Sequence, residues 1–170
     1  MGQMKKIQIV GAILFCTLAG HRADALKHFY IPAQLTYAPK CILNLVASYM
    51  NIKLNNNIPL PTIYLESETK LNFFQDTIEP QWKMRPEQFS SAYASHANAL
   101  FLINDSSYYE RLHRTIDDSL AHEFVHYIQF HYQGYSEFTD DAEPMAIDAQ
   151  TWFRENIMQK NNSGQLAVCN

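Results

Sequence analysis

The sequence predicts an α+β domain, and three observations carry that prediction. Apolar residues at helical spacing mark an early segment and two late ones, short strand-like runs lie between them, and Asn, Pro and Gly punctuate the joins. Of 170 residues, 47% are hydrophobic and 18% charged, which suits one compact domain. A formal net charge of −4 leaves no basic footprint for nucleic acid. No long charge run, low-complexity tract or internal repeat is present, which argues against a solenoid or a disordered arm.

The first 25 residues differ from the rest. Lys5 and Lys6 form a positive start, "IQIVGAILFCTLAG" is an apolar stretch of signal-peptide length, and Ala23-Asp24-Ala25 supplies a small-x-small cleavage pattern. The uncharged stretch is short for a full membrane span, and Phe15 before Cys16 is bulky where a lipoprotein signal carries a small residue. The expectation is a signal peptide over 1–25, cleaved after Ala25, and a single domain over 26–170, secreted or periplasmic with no membrane anchor after cleavage. Cys16 leaves with the signal, so Cys41 and Cys169 remain as an even pair in an oxidising compartment, where a disulfide is expected.

The elements follow in order. "APKCILNLVASYMNIKL" has helical spacing, with Cys41, Leu45 and Ala47 to Tyr49 on its apolar side, and "NNNIPLP" breaks it. "TIYLES" reads as a short strand, "ETKLNFFQDTI" as a short helix and "EPQWKMRPEQ" as a loop. "SAYAS" and "NALFLIN" read as a hairpin or a pair of edge strands. A long helix is expected from about Tyr109 to Gln133, stopped by Gly134. A polar loop, "YSEFTDDAEP", leads to a last helix from about Asp141 to Lys160.

The long helix holds His122-Glu123-Phe124-Val125-His126, an H-E-x-x-H run. Advancing about 100° per residue, His122, His126 and Gln129 fall on one stripe that Thr115, Asp118 and Ser119 extend backwards, while Ile116, Leu120, Phe124, Tyr127 and Ile128 fall opposite. Two imidazoles one turn apart can share one metal ion, and Glu123 beside them can reach a water on that metal without being a ligand. The same wheel turns His113 and His131 away, and His96 lies in the strand region. A catalytic zinc held by two histidines needs a third protein ligand and one open position. The metzincin pattern is excluded, because it requires Gly and His where Gln129 and Tyr132 stand. Downstream acids are Glu137, Asp140, Asp141, Glu143 and Asp148. Glu143 is preferred: the chain can turn back between it and His126, Ala146 one turn on permits close helix approach, and Gln150 returns to the same face. Asp140-x-x-Glu143 is also spaced as a capping box, and Glu137 and Asp148 remain alternatives.

"HEFVHYIQ" followed by "EPMAIDAQ" resembles the gluzincin zinc metallopeptidases, in particular small secreted bacterial proteins of that type, over roughly residues 98 to 153. The resemblance implies a small zincin-like domain whose active-site helix carries H-E-x-x-H and whose following helix carries the third ligand. It implies Zn²⁺ on His122, His126 and Glu143, with Glu123 as general base activating a zinc-bound water against a peptide bond. It also implies that "NALFLIN" is an edge strand able to pair with an extended peptide substrate. Tyr127, Tyr132 and Tyr135 are candidate oxyanion donors. Two departures stand out: position 147, where larger gluzincins often carry an orienting acid, is Ile, and Pro144 confines Glu143 to a helix start. The alternative reading is a non-catalytic exported zinc-binding domain that binds a protein partner.

Overall fold

The structure is a computed structural model and describes residues 30–138 and 141–159. The predicted signal peptide, Cys169 and its pairing with Cys41, Asp140 and Lys160 lie outside the described residues. No helix among the described residues is long and apolar enough to cross a membrane.

Mixed helix and sheet are present as predicted. The elements are α1 (Pro39–Tyr49), β1 (Thr62–Leu65), α2 (Leu71–Trp82), β2 (Ala92–Ala94), β3 (Ala99–Leu102), α3 (Ser106–Leu112), α4 (Ile116–Tyr132) and α5 (Ala142–Phe153). A π-helical turn, Arg154–Met158, extends α5. The sheet order is β1-β3-β2, with β1 parallel and β2 antiparallel to β3. β3, the "ALFL" of "NALFLIN", is therefore the central strand and not an edge, which corrects the sequence expectation. Its residues are apolar on both faces because both are covered. Leu100 and Leu102 join the main core with α1, α4 and α5, while Ala99 and Phe101 join a second cluster with Phe74, Ile78 and Phe89.

Two other expectations change. α2 runs through Pro80 instead of ending before it. A proline there removes one i→i−4 bond, yet Phe74 and Ile78 are fully buried and Trp82, one turn further, packs edge-on against Phe74 at 6.1 Å. Continuing the helix keeps that aromatic in the cluster, and Lys83 in the left-handed region (φ 58°) then ends it. The predicted 109–133 helix is two helices, broken at His113 (φ 52°). Thr115 accepts from the Asp118 N–H while the Asp118 carboxylate accepts from the Thr115 N–H, a capping box that starts α4 afresh. Gly134, with φ 78°, follows the end of α4 as expected.

The polar stripe of α4 is buried along with its apolar face. From Ile116 to Gln129 every residue is buried except His122, which is half-buried. Its polar stripe therefore faces other elements. Asp117 shows the pattern: its carboxylate accepts from the Thr36 N–H (2.9 and 3.0 Å) and the Tyr37 N–H (2.9 Å), strapping the segment before α1 onto α4. The Ala33 N–H donates to the Asn104 carbonyl at 2.7 Å and continues the strap.

Asp117→Ala leaves those amides without their acceptor and is expected to cost about 1–3 kcal/mol in denaturant unfolding. Burial raises the Asp117 carboxyl above its ordinary value, against the lowering effect of the Thr36 and Tyr37 amides. A raised carboxyl contributes fully below its unfolded value, near about 4, and that contribution is lost as pH rises through the folded value. Wild type should therefore lose stability relative to Asp117→Asn as pH rises from about 4; a pH-independent difference would contradict the burial effect.

Candidate metal centre

The fold brings His122, His126 and Glu143 together. The two imidazole Nε2 atoms lie 3.2 Å apart, His122 Nε2 lies 3.4 Å from Glu143 Oε2, and His126 Nε2 lies 3.4 Å from Glu143 Oε1. The three side chains form a group that could hold a metal ion. The spacing can be tested against coordination geometry. Ligands at about 2.0–2.1 Å from a tetrahedral centre are separated by about 3.3–3.4 Å. The observed edges match that value, and two imidazole nitrogens aimed at each other are what a shared cation requires.

Each ligand is placed by a separate local cause. The capping box sets the start of α4 and so the rotation of His122 and His126. Ala146 and Ala149 are fully buried and let α5 pack closely on α4, while Gln150 Nε2 donates to Asp118 Oδ1 at 3.1 Å. Glu143 is the second residue of α5, followed by Pro144 in the same first turn, where the missing proline N–H costs nothing. The N-cap is Asp141, without a side-chain cap bond, so the Glu143 carboxylate is directed to the histidines. Glu137 and Asp148 are exposed and outside the cluster.

Gln129 is the residue whose role the sequence reading missed. It is fully buried; its Oε1 lies 2.9 Å from His126 Nδ1, and its Nε2 donates to the Ala142 carbonyl at 2.9 Å. The Oε1 can only accept, so Nδ1 carries the hydrogen of that bond and a neutral His126 presents its Nε2 lone pair to the centre. The other end of the same amide holds the residue just before Glu143. One side chain thus orients the second histidine and anchors the helix that delivers the carboxylate. Its position on the histidine stripe was legible; the backbone carbonyl it would meet was not.

His122 lacks such a partner. Its Nδ1 is buried with no hydrogen bond, and Ile147, half exposed at the position discussed above, offers no acceptor. His131 is elsewhere: its Nε2 meets the Tyr93 hydroxyl at 2.9 Å and its ring lies against Tyr127. His96 is exposed in the β2–β3 turn, and His113 is exposed at the α3 terminus.

Glu123 is buried and forms part of the walls of both clefts flanking the cluster. The Tyr93 N–H donates to its carboxylate. Burial raises the Glu123 carboxyl, while His122 and His126 oppose that rise. Hydrogen bonds from His122 and His126 hold Glu143 well below the usual carboxylate range. For His126, burial acts downward, but the bonds to Glu143 and Gln129 and the charge of Glu123 carry its value upward.

The edge strand beside the cluster is β2. Gln81 closes part of that edge: its Nε2 donates to the Tyr93 carbonyl at 2.8 Å and its Oε1 accepts from the Ser95 N–H at 2.9 Å. Gln81 therefore occupies the edge at Tyr93 and Ser95, and Ser91, just before β2, lines both clefts. Two of the three tyrosine candidates are engaged elsewhere. Tyr127 donates its hydroxyl to the Pro59 carbonyl at 3.2 Å, and the Tyr132 hydroxyl accepts from the Asn55 N–H at 3.1 Å, so both are committed to the loop before β1.

Comparison with known protein families, curated proteins and solved structures finds no match.

Gln129→Leu breaks both ends of the amide bridge and is expected to weaken metal binding about 10–100-fold. Gln129→Glu keeps an acceptor for His126 and should retain more of the affinity. Chelator competition with circular dichroism as a fold control reads this; equal affinities for wild type and Gln129→Leu would remove the orienting role.

Proposed function

We propose that this chain is a secreted zinc metallopeptidase with a zincin-like, gluzincin-type arrangement that hydrolyses peptide bonds. The observation that carries the reading is the convergence of His122, His126 and Glu143 at tetrahedral edge lengths, with a buried non-ligand carboxylate, Glu123, beside them. Nitrogen and carboxylate donors in a three-ligand set suit zinc with one position left for water or substrate. When bound, the metal supplies Lewis acidity, which acidifies water and polarises a carbonyl.

The chain's own residues supply the rest. Glu123 takes the proton from the attacking water and returns it to the departing amide nitrogen, while the Tyr93 N–H holds one side of its carboxylate in place. Gln129 keeps His126 in the tautomer that presents Nε2. Ser91, just before edge strand β2, borders both clefts, so an extended chain spanning them would run beside that strand, which favours peptide substrates. Export rests on the N-terminal pattern of Lys5, Lys6 and the apolar run.

About one zinc per chain is expected after purification without chelators, and His122→Ala or His126→Ala should abolish it. Glu143→Ala should weaken it sharply. Glu123→Gln should keep the metal and lose peptide hydrolysis by several orders of magnitude. A metal-free wild type that cannot be loaded would sink the reading. Hydrolysis surviving Glu123→Gln undiminished would remove the catalytic assignment, and metal binding with no hydrolysis by wild type would favour the non-catalytic binding domain.

A further inference from the structure

The two clefts beside the cluster differ in chemistry. The cleft of about 270 Å³ has Trp82 and Phe138 in its wall, and Phe138 lies against the His126 ring with centroids 4.8 Å apart. The cleft of about 410 Å³ mixes polar Gln88, Ser90 and Ser91 with apolar Phe89 and Ile147, and Arg114 is the one lysine or arginine in its wall. The acids in that lining are Glu123 and Glu143, both at the candidate metal centre. Away from the centre, the wall carries one formal charge, and it is positive.

Arg114 is exposed and sits just before the Thr115 cap of α4. Its backbone N–H is used by the Tyr109 carbonyl, while its guanidinium forms no ion pair or hydrogen bond with another described residue. Its nearest structural claimant is Asp118, and that carboxylate is already served. Asp118 accepts from Gln150 Nε2 at 3.1 Å and from the Thr115 N–H at 3.1 Å, and Arg154 Nη1 lies 3.8 Å away. Arg114 acts on Asp118 through its charge alone and also borders a second cleft beside Glu110 and Asp117, so its N–H donors stay open to a ligand. Arg114 precedes the extended Thr115 cap, and six helical steps from Ile116 to His122, about 9 Å of rise, follow it. An extended peptide advances about 3.3 Å per residue, and an arginine side chain covers part of that span. Arg114 lines the same cleft as His122, Glu123 and Glu143, so a peptide lying in that cleft brings a side chain within about three residues of the centre past the guanidinium.

We propose that this cleft is a subsite for a carboxylate-bearing residue, and that the substrate class is a peptide with an acidic residue on the Arg114 side and a large apolar or aromatic residue on the Trp82–Phe138 side of the cleaved bond. The inference rests on the peptidase reading and deepens it. A chain with net charge −4 repels acidic peptides at long range, but screening confines that repulsion to about 8 Å at physiological salt, so the charge facing the substrate decides. Planar arginine is suited to carboxylate recognition through paired N–H donors.

The test uses the full zinc-loaded chain on an unbiased peptide library, with cleavage sites mapped by mass spectrometry. Asp and Glu should be enriched within about three residues on one side of the cut, and large apolar residues on the other. For matched peptides, Arg114→Glu should lower the acidic-to-neutral ratio of kcat/KM by about tenfold or more and favour Lys-bearing peptides. Arg114→Gln should abolish the preference without reversing it. Zinc content should be unchanged in both variants, and the wild-type preference should weaken in 1 M salt. Cleavage without acidic preference, or a preference that survives both variants, overturns the subsite and leaves the peptidase standing. Failure of the zinc-loaded wild type to cleave any peptide overturns both.

Discussion

A helix buried on every side must find a partner for each polar group it carries, and α4 carries six such buried side chains: Asp117, Asp118, Ser119, Glu123, His126 and Gln129. Their partners lie on different elements. Asp117 takes the strap before α1, Asp118 takes Gln150 and Arg154 beyond it on the C-terminal helices, Glu123 takes the β2 backbone, and Gln129 takes the start of α5. These bonds fix how the strap, β2 and the C-terminal helices dock, and His122 Nδ1 is the buried side-chain atom among the described residues that they leave without a partner. Apolar packing brings the layers together without specifying their register; these bonds specify it.

The same demand shapes the electrostatics of the centre. Glu143 is held low by its histidine partners, and His126 is carried upward against its own burial by Glu143, Gln129 and Glu123. These opposite directions have one origin: two carboxylates, buried Glu123 and exposed Glu143, face two imidazoles, and the group as a whole attracts positive charge. A proton shared between His126 and Glu143 meets part of that demand. A divalent cation at the same point meets it more fully, since two carboxylates carry the balancing charge and both Nε2 atoms already converge. Glu123 gains from the same cation without binding it.

Much of this was legible in the sequence, for definable reasons. The H-E-x-x-H register depends only on helical periodicity, which any straight helix obeys, and the choice of Glu143 followed from Ala146 and Gln150 sharing its face; the buried Ala146 and the Gln150–Asp118 bond are that face. The break at His113 was missed although Thr115-x-x-Asp118 is a readable capping box, because the helical pattern continues across it and invited a single element. Pro80 was read as a stop, and tertiary packing of Trp82 on Phe74 outweighed it. The centrality of β3 could not be read locally, since a strand apolar on both faces looks alike at an edge and in the middle until its neighbours are known. The wheel separated the two faces of the helix, but which elements answer the polar one cannot be read from the helix alone.

The ligands come from two helices, and this couples ion binding to the fold. His122 and His126 belong to α4, Glu143 to the first turn of α5, and Gln129 spans the two. In the unfolded chain Glu143 is separated from His126 by a loop of variable geometry, so the three donors converge only when α5 is docked. An ion held by these donors would stabilise the docked state by RT ln(1 + [L]/Kd), about 4 kcal/mol at a thousandfold excess over Kd. Domains of this size have about 5–15 kcal/mol in total. A contribution of that size acts where α5 begins, at Glu143, whose side chain is 54% exposed and gains little from packing. The exposed carboxylate is thus the least secured ligand by burial and the one that gains most from coordination, while the fully buried Gln129 amide keeps it within reach of the histidines.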